Sequence, residues 1–127
     1  MTRAMIITVL ARLDGQDTTG GSTWYEKAVE WAIENGISDG TNLNGSVTRE
    51  QLASMLYRYA GSPEVTGSIN NYTDVSSISS YATDAMTWAV EQGLISGMGD
   101  GTLNPQGEAT RAQVATIMMN FMKNINK

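Results

Sequence analysis

The chain has 127 residues, of which 41% are hydrophobic, and its 8 basic and 13 acidic side chains give a net charge of -5. A chain of this length can bury about two thirds of the surface that its unfolded form exposes, which suits one compact domain. The acidic balance argues against sequence-independent binding to nucleic acid phosphates. The sequence has no cysteine, which excludes disulfides and thiolate metal sites, and no histidine, so we expect neither a metal nor another cofactor.

No apolar run approaches the ~20 residues of a membrane-spanning helix. The N-terminus also lacks the charged and apolar regions of a secretory signal peptide. We therefore expect a chain that does not span a membrane and does not direct its own export, although it could be a piece of an exported protein.

The first predicted element is a helix that begins with TRAM at residues 2–5. Thr2 is placed to cap this helix by accepting from the amide of residue 5. Met5 stands where a glutamate or glutamine would return the bond, so we expect no complete capping box here. A stripe with i, i+3, i+4, i+7 spacing predicts one buried face, which consists of Ile6, Val9, Leu10 and Leu13.

A linker rich in glycine, serine and threonine leads to a helix-loop-helix unit. Its first helix, AVEWAIENG, places Ala28, Trp31 and Ala32 on one face, and Gly36 stands where a left-handed residue ends a helix. The loop GISDGTNLNGSVTR follows. The second helix begins at the next Thr-Arg pair and carries the stripe Leu52, Met55, Leu56 and Tyr59.

This unit occurs a second time after another linker. AMTWAVEQG matches AVEWAIENG in register, with Trp88 lying 57 positions after Trp31, and both tryptophans are predicted to lie in the core. The loop GLISGMGDGTLNPQGEATR is five residues longer than its counterpart. The last stripe consists of Val114, Ile117, Met118 and Phe121. We divide the chain into the second half of one repeat (1–15), a second repeat (16–61) and a third (62–127), together one compact domain.

Each Thr-Arg pair puts an arginine into the first turn of a helix, where about half a unit of positive charge disfavours a cation. A guanidinium beside unpaired first-turn amides makes a site for a planar carboxylate or phosphate. Pairing with an acid such as Asp39, Asp100 or Glu108, or exposure to solvent, is the alternative. The arginines are Arg3, Arg49 and Arg111, and the complete capping boxes are Thr48 with Gln51 and Thr110 with Gln113.

Together these features resemble the S-layer homology (SLH) family over nearly the whole chain. The resemblance is carried by YTDV at 72–75, by the aromatic-to-A-[VM] spacing at 24–29 and 81–86, by ENGISDGT and EQGLISGMGDGTLNP, and by the three Thr-Arg motifs. It implies an all-α, pseudo-threefold spindle of helix-loop-helix repeats, with the Thr-Arg helices in a central three-helix bundle and the N-terminal repeat truncated.

The resemblance also implies a function at the bacterial cell surface. Members anchor a parent surface protein noncovalently to a secondary cell wall polysaccharide, often through a pyruvylated sugar in grooves between repeats. The implied ligand contacts are Arg3, Arg49, Arg111, Trp24, Tyr81, Asp74, Gly40 and Gly97. From the residues alone, Trp24 and Tyr81 could either stack on a sugar ring or pack at the mouth of the bundle.

Catalysis and calcium binding are not expected. No spacing singles out the pair of carboxylates that a glycosidase needs, and GMGDGTLN does not meet the EF-hand pattern. A second hypothesis is an assembly module, without sugar binding, whose missing half-repeat comes from another chain or from upstream sequence. It rests on the apolar face that the first helix would leave exposed without a partner helix.

Overall fold

The computed structural model describes residues 2–65, 67, 69, 72–95 and 101–124. Over these residues the chain is helical, with two single β-bridges and no strand. The all-α prediction is thereby confirmed. The elements are α1 (Arg3–Leu13), α2 (Glu26–Glu34), α3 (Arg49–Tyr59), α4 (Thr83–Glu91) and α5 (Arg111–Asn124), with 3-10 turns at Val75–Ser77 and Ser80–Ala82.

The chain divides into two compact units, Met1–Val47 and Thr48–Lys127. Within the first unit α1 packs against α2, and within the second α3 packs against α4 and the 3-10 turn before it. Each of these pairs joins a Thr-Arg helix to the first helix of the following sequence repeat. The structural unit is therefore offset by half a repeat from the predicted boundaries at 15/16 and 61/62, which stay predictions.

The buried face of α1 differs from the predicted stripe. Ile6 and Leu10 are fully buried, but Val9 and Leu13 are 41% and 39% exposed. Ile7 and Ala11, which the stripe left out, are buried completely. The buried face is thus wider than one i, i+3, i+4, i+7 row and lies to one side of it, as happens when a helix has neighbours on more than one side.

An aromatic cluster forms part of the core of the second unit. The Trp88 ring centroid lies 5.4 Å from that of Tyr57 on α3 and 6.4 Å from that of Phe121 on α5. Trp88 is buried as predicted, whereas Trp31 is only half-buried. The predicted stripes of α3 and α5 are buried except for Tyr59, which is half-buried against Phe121.

Both copies of the first helix end in the same way. Gly36 and Gly93 have φ angles of +70° and +72°, the left-handed conformation predicted for them. The amide of the next residue then donates back into the helix, from Ile37 to the Ala32 carbonyl and from Leu94 to the Ala89 carbonyl, each at 2.9 Å. The longer loop contains residues 96–100, which lie outside the described residues, and the predicted contact Gly97 is one of them.

Candidate ligand-binding site

The Thr-Arg helices begin with side-chain caps. In α3, Thr48 Oγ1 accepts from the Gln51 amide at 3.2 Å, and Gln51 Oε1 accepts from the Thr48 amide at 2.9 Å. The same pair of bonds joins Thr110 and Gln113 in front of α5, at 3.1 and 3.0 Å. These reciprocal bonds fix where both helices start.

The start of α1 corrects the expectation that its capping box is lost. The Met5 amide donates to Thr2 Oγ1 at 3.2 Å, and the Thr2 amide donates to Met5 Sδ at 3.4 Å. A thioether sulfur is a weak acceptor, and its length lets it reach the position that a glutamine oxygen would take. The box is therefore present with sulfur as one of its two acceptors.

The first-turn amides of α3 are paired, contrary to the hypothesis that they are open to a ligand. Arg49 N donates to the Gly107 carbonyl at 3.0 Å, and Glu50 N donates to the Pro105 carbonyl at 2.9 Å. Since the Gln51 amide is held by the cap, the loop and the cap together use the donors that an anion would need.

The start of α1 is closed in the same way by the loop of the first unit. Arg3 N donates to the Gly45 carbonyl at 3.1 Å and Ala4 N to the Leu43 carbonyl at 3.0 Å. Each of these helices is thus completed by the loop of the following sequence repeat. The hypothesis of amide-assisted anion binding is wrong for α1 and α3, and any anion there must rely on the arginine side chains.

Arg49 is the most buried of the three arginines, with 5% of its surface exposed. Its Nε donates to the Leu103 carbonyl at 2.9 Å. Burial lowers the pKa of the Arg49 guanidinium, and the negative charge of Asp74 opposes that shift. Arginine does not lose its proton in proteins, so Arg49 places a permanent positive charge inside the second unit.

Asp74 positions the loop that receives Arg49. One of its carboxylate oxygens accepts from the Leu103 amide at 2.9 Å, and the other accepts from the Asn104 amide at 2.8 Å. Both oxygens are therefore used by backbone amides. These two bonds hold the Leu103 carbonyl in place for Arg49, and a direct ligand contact by Asp74 stays a prediction.

A cavity of about 270 Å³ lies beside Arg49 in the second unit. One wall is the turn at 93–95, and the other is a face of α5. Its volume approaches the lower end of the range for small-molecule sites, which combine apolar walls with a few polar groups. The α5 side chains that line it are Ala112, Gln113, Thr116, Ile117 and Asn120.

Arg3 in the first unit has an acidic partner. Its terminal nitrogen lies 3.6 Å from Asp39 Oδ1, so the alternative of pairing with Asp39 is realised here. Asp39 Oδ1 also accepts from the Thr41 amide and hydroxyl, at 3.0 and 2.7 Å, and these bonds, with a smaller contribution from Arg3, lower the pKa of Asp39. Arg3 Nε is buried and has no hydrogen-bond partner among the described residues.

Gly40 follows Asp39 and is required by the backbone. Its φ is +78°, and a β-carbon there would lie 2.9 Å from Ile33 Cδ1. Positive φ and close packing together demand glycine, whatever the ligand. The geometry supports a structural role for Gly40, which lets the loop turn over α2.

The predicted aromatic contacts are both exposed. Trp24 is 56% exposed, and its ring stands edge-on to Tyr25 at 5.0 Å. Tyr81 is 52% exposed, and its hydroxyl lies 3.3 Å from Glu50 Oε2. Tyr81 is not among the residues that line the cavity. Arg111, the third arginine, is exposed at the start of α5.

Sequence reasoning missed Glu50. This side chain is buried and accepts from the Ser79 amide at 3.0 Å and from the Ser79 hydroxyl at 2.6 Å, in addition to Tyr81. It therefore ties the start of α3 to the chain that leads into α4. The repeat carries no signal for this role, because the corresponding positions hold Ala4 and Ala112.

Two further features bear on the kind of site. Within the described ranges, no three acidic side chains come together in a way that could hold a metal ion. In the same part of the chain, no helix combines the length and the apolar character needed to cross a lipid bilayer.

Comparison with known proteins identifies the family. A model of the S-layer homology domain matches residues 17–53 and 71–115. Exoglucanase XynX of Acetivibrio thermocellus is 32% identical over 111 residues, which cover 81% of this chain and 10% of the exoglucanase. The Surface-layer 125 kDa protein of Lysinibacillus sphaericus is 29% identical over 111 residues, covering 81% of this chain and 9% of that protein.

A solved structure shows the same fold. The undecaheme cytochrome from the S-layer of Carboxydothermus ferrireducens aligns with 99% of this chain, over 18% of its own length, with a TM-score of 0.68 and 21% identity. The chain spans only about a tenth of the curated relatives, so the match to the exoglucanase concerns a small part of that enzyme. On the matched segments, the helix-loop-helix repeats and the shared fold, the chain belongs to the S-layer homology domain family.

Proposed function

We propose that this chain is a noncovalent cell-surface anchor that binds an anionic, pyruvylated secondary cell wall polysaccharide and attaches a larger parent protein to the wall. Membership of the S-layer homology family supports the anchoring role, and a relative named as a surface-layer protein supports the location. The small share of each relative that the chain spans supports a module that serves a larger protein.

The cavity beside Arg49 is the observation that carries this proposal. A buried guanidinium attracts a carboxylate more strongly than an exposed one, because water screens the pair less. The bond from Nε to Leu103 and the hold of Asp74 on that loop fix the direction of the Arg49 side chain. A pyruvyl carboxylate in the cavity would meet a preoriented positive charge.

The remaining wall of the cavity suits a sugar. Thr116 and Asn120 offer neutral polar groups to hydroxyls, while Ile117 offers an apolar surface to ring C–H groups. In this mechanism the ligand's second carboxylate oxygen is held by cavity side chains, since the α3 amides are already paired with the loop.

The other predicted contacts are assigned lesser parts. Arg111 is exposed, so its attraction for an anion is screened by solvent. In the first unit, the buried Nε of Arg3 is a donor for which a bound anion would be an acceptor. Trp24 and Tyr81 are each more than half exposed, so a sugar could stack on either ring.

Sedimentation with cell-wall sacculi tests the proposal. We expect the purified chain to co-sediment with native sacculi and not with sacculi stripped of their secondary polymer. Removing only the pyruvyl groups from the polymer should weaken binding by about tenfold or more, because the charge that meets Arg49 is lost. Equal binding to native and stripped sacculi, or none to either, would contradict the anchor function.

A pair of variants localises the site. Asn120→Asp places a carboxylate in the cavity and should weaken binding by about tenfold through repulsion. Asn35→Asp is the matched control, because Asn35, which directly follows α2, also donates its side-chain amide to a backbone carbonyl, at 2.8 Å against 3.4 Å for Asn120. Only Asn120 lines the cavity. Equal effects of the two variants would exclude this cavity as the binding site.

A further inference from the structure

Met5 uses its sulfur as a hydrogen-bond acceptor at the start of α1. The Thr2 amide donates to Met5 Sδ at 3.4 Å, and the Met5 amide donates to Thr2 Oγ1 at 3.2 Å. At the equivalent positions of α3 and α5 the acceptor is the side-chain oxygen of a glutamine, Gln51 or Gln113, at 2.9 and 3.0 Å. Because a thioether sulfur is a weak acceptor, the box of α1 has a weaker bond than the other two.

Oxidation of the sulfur would give Met5 the kind of acceptor that glutamine has. In methionine sulfoxide the oxygen is bonded to the δ atom of the side chain, which is sulfur. The Oε1 of glutamine is likewise bonded to the δ atom, which is carbon, so both oxygens stand the same number of bonds from the backbone. A sulfoxide oxygen carries more negative charge than a thioether sulfur, and negative charge is favoured at the start of a helix.

Met5 is also open to a dissolved oxidant. Its side chain is partly exposed, whereas Met55, Met86 and Met118 are at most 8% exposed. A thioether sulfur has two lone pairs, and the bond from the Thr2 amide uses one of them. The second lone pair can react with a peroxide before that bond is broken.

We propose that Met5 is a site of reversible oxidation by hydrogen peroxide, at which formation of the sulfoxide strengthens the start of α1. The sulfur lone pair attacks one peroxide oxygen, and the S–O bond forms as the O–O bond breaks. The departing hydroxide takes the proton of the transferred oxygen and leaves as water, so the sulfur is oxidised by two electrons and the peroxide is reduced. Rotation about the Cγ–Sδ bond brings the new oxygen to the Thr2 amide.

This outcome is the opposite of the usual effect of methionine oxidation. In a core, a sulfoxide disrupts packing because it places a polar group among apolar ones. At Met5 the oxygen meets a backbone donor that is already directed at the side chain. Met5 belongs to the first unit and is not among the residues that line the cavity beside Arg49, so the inference does not depend on sugar binding.

Peroxide treatment of the folded chain tests the proposal. The full chain is treated with dilute hydrogen peroxide until peptide mass spectrometry shows the sulfoxide at Met5. Exchange of the Thr2 amide with solvent is then followed by NMR. We expect this exchange to slow by about threefold or more, because a stronger acceptor holds the amide. Methionine sulfoxide reductases that act on the two sulfoxide epimers should restore the original rate.

Two variants at position 5 provide the controls. Met5→Gln supplies an oxygen permanently, so its Thr2 amide should exchange as slowly as in the oxidised chain, with or without peroxide. Met5→Leu removes the acceptor, so its Thr2 amide should exchange about twofold faster than in the untreated chain, again with or without peroxide. Both variants keep the exposed Met119 and Met122, and they therefore report any effect of oxidation elsewhere.

Three results would overturn the proposal. If Met5 stayed reduced while Met119 and Met122 were fully oxidised, its sulfur would not be accessible to peroxide. If the Thr2 amide of the oxidised chain exchanged at an unchanged or faster rate, the new oxygen would not take the place of the glutamine oxygen. If peroxide slowed this exchange equally in Met5→Leu, the effect would belong to another methionine.

Discussion

The starts of α3 and α5 carry nearly the same sequence and have different surroundings. Both are capped by threonine and glutamine with bonds of 2.9 to 3.2 Å. Arg49 is nonetheless buried, while Arg111 is exposed. The cap is made by residues three positions apart and follows from the local sequence. The burial of the arginine depends on a loop that lies far from the helix start along the chain.

That loop supplies three carbonyls to α3. Those of Pro105 and Gly107 close the first turn, and that of Leu103 receives the Arg49 side chain. Asp74 in turn holds the loop by two amides. A motif that is repeated in sequence thus becomes part of a buried site only where a second element is built around it. Equivalent substitutions at the two helix starts should therefore have unequal effects wherever the loop takes part and equal effects where it does not.

The largest effect is expected at Glu50. Glu50→Ala removes the carboxylate that accepts three hydrogen bonds and leaves the Ser79 groups unpaired, which should lower the free energy of unfolding by about 3 kcal/mol. Ala112→Glu makes the reverse change at the equivalent exposed site of α5 and should change it by less than about 0.5 kcal/mol. Urea unfolding measures both. A loss of similar size for the two variants would contradict the contrast between these positions.

The next largest difference in stability is expected between substitutions of the two arginines. Arg49→Ala removes a charged hydrogen bond to Leu103 and should lower the free energy of unfolding by about 2 kcal/mol. Arg111→Ala removes an exposed side chain and should have an effect within about 0.5 kcal/mol. The same denaturation experiment compares them. If Arg111→Ala lowered the free energy of unfolding as much as Arg49→Ala, this would contradict the exposed position of Arg111.

Substitution of Asp74 should lower the stability less, and its effect should be confined to the loop. Asp74→Asn keeps one acceptor and loses the other, so we expect a loss of about 1.5 kcal/mol. Faster hydrogen exchange at the Leu103 and Asn104 amides, with unchanged exchange in α4, would locate the effect. Unchanged exchange at both amides would show that Asp74 does not hold this loop.

The smallest effect should be the same at both helices. Thr48→Ala and Thr110→Ala each remove one cap and should each cost about 1 kcal/mol. Because the cap is local, its loss should not depend on whether the helix start is buried. Clearly unequal losses in thermal or urea unfolding would show that the cap depends on the surroundings of the helix start.

The features that could be predicted from the sequence are those determined by residues close together in the chain. Helix positions, the caps at Thr48 and Thr110, and the left-handed ends at Gly36 and Gly93 all depend on residues within one or two turns. The buried face of α1 could not be predicted from the sequence, because Val9 and Ile7 are both apolar. Which of them is buried depends on the elements that pack against the helix.

The candidate site was predicted only in part. Arg49 was named from its place in the motif, but its Leu103 partner lies 54 positions away. Glu50 meets Ser79 across 29 positions, and no repeated residue marks it. Asp74 was named as a ligand contact, which stays a prediction. Its bonds to the Leu103 and Asn104 amides were not predicted, because a motif shows which residue stands at a position and not which distant groups it meets.

The closure of one repeat's helix by the next repeat's loop has a consequence for tandem copies. The bonds run one way along the chain, from Arg3 N and Arg49 N to the loops that follow them. Each of these loops therefore completes the helix that precedes it in the chain, so the stabilities of neighbouring repeats are coupled. Loosening one loop should destabilise the start of the preceding helix as well as the loop itself.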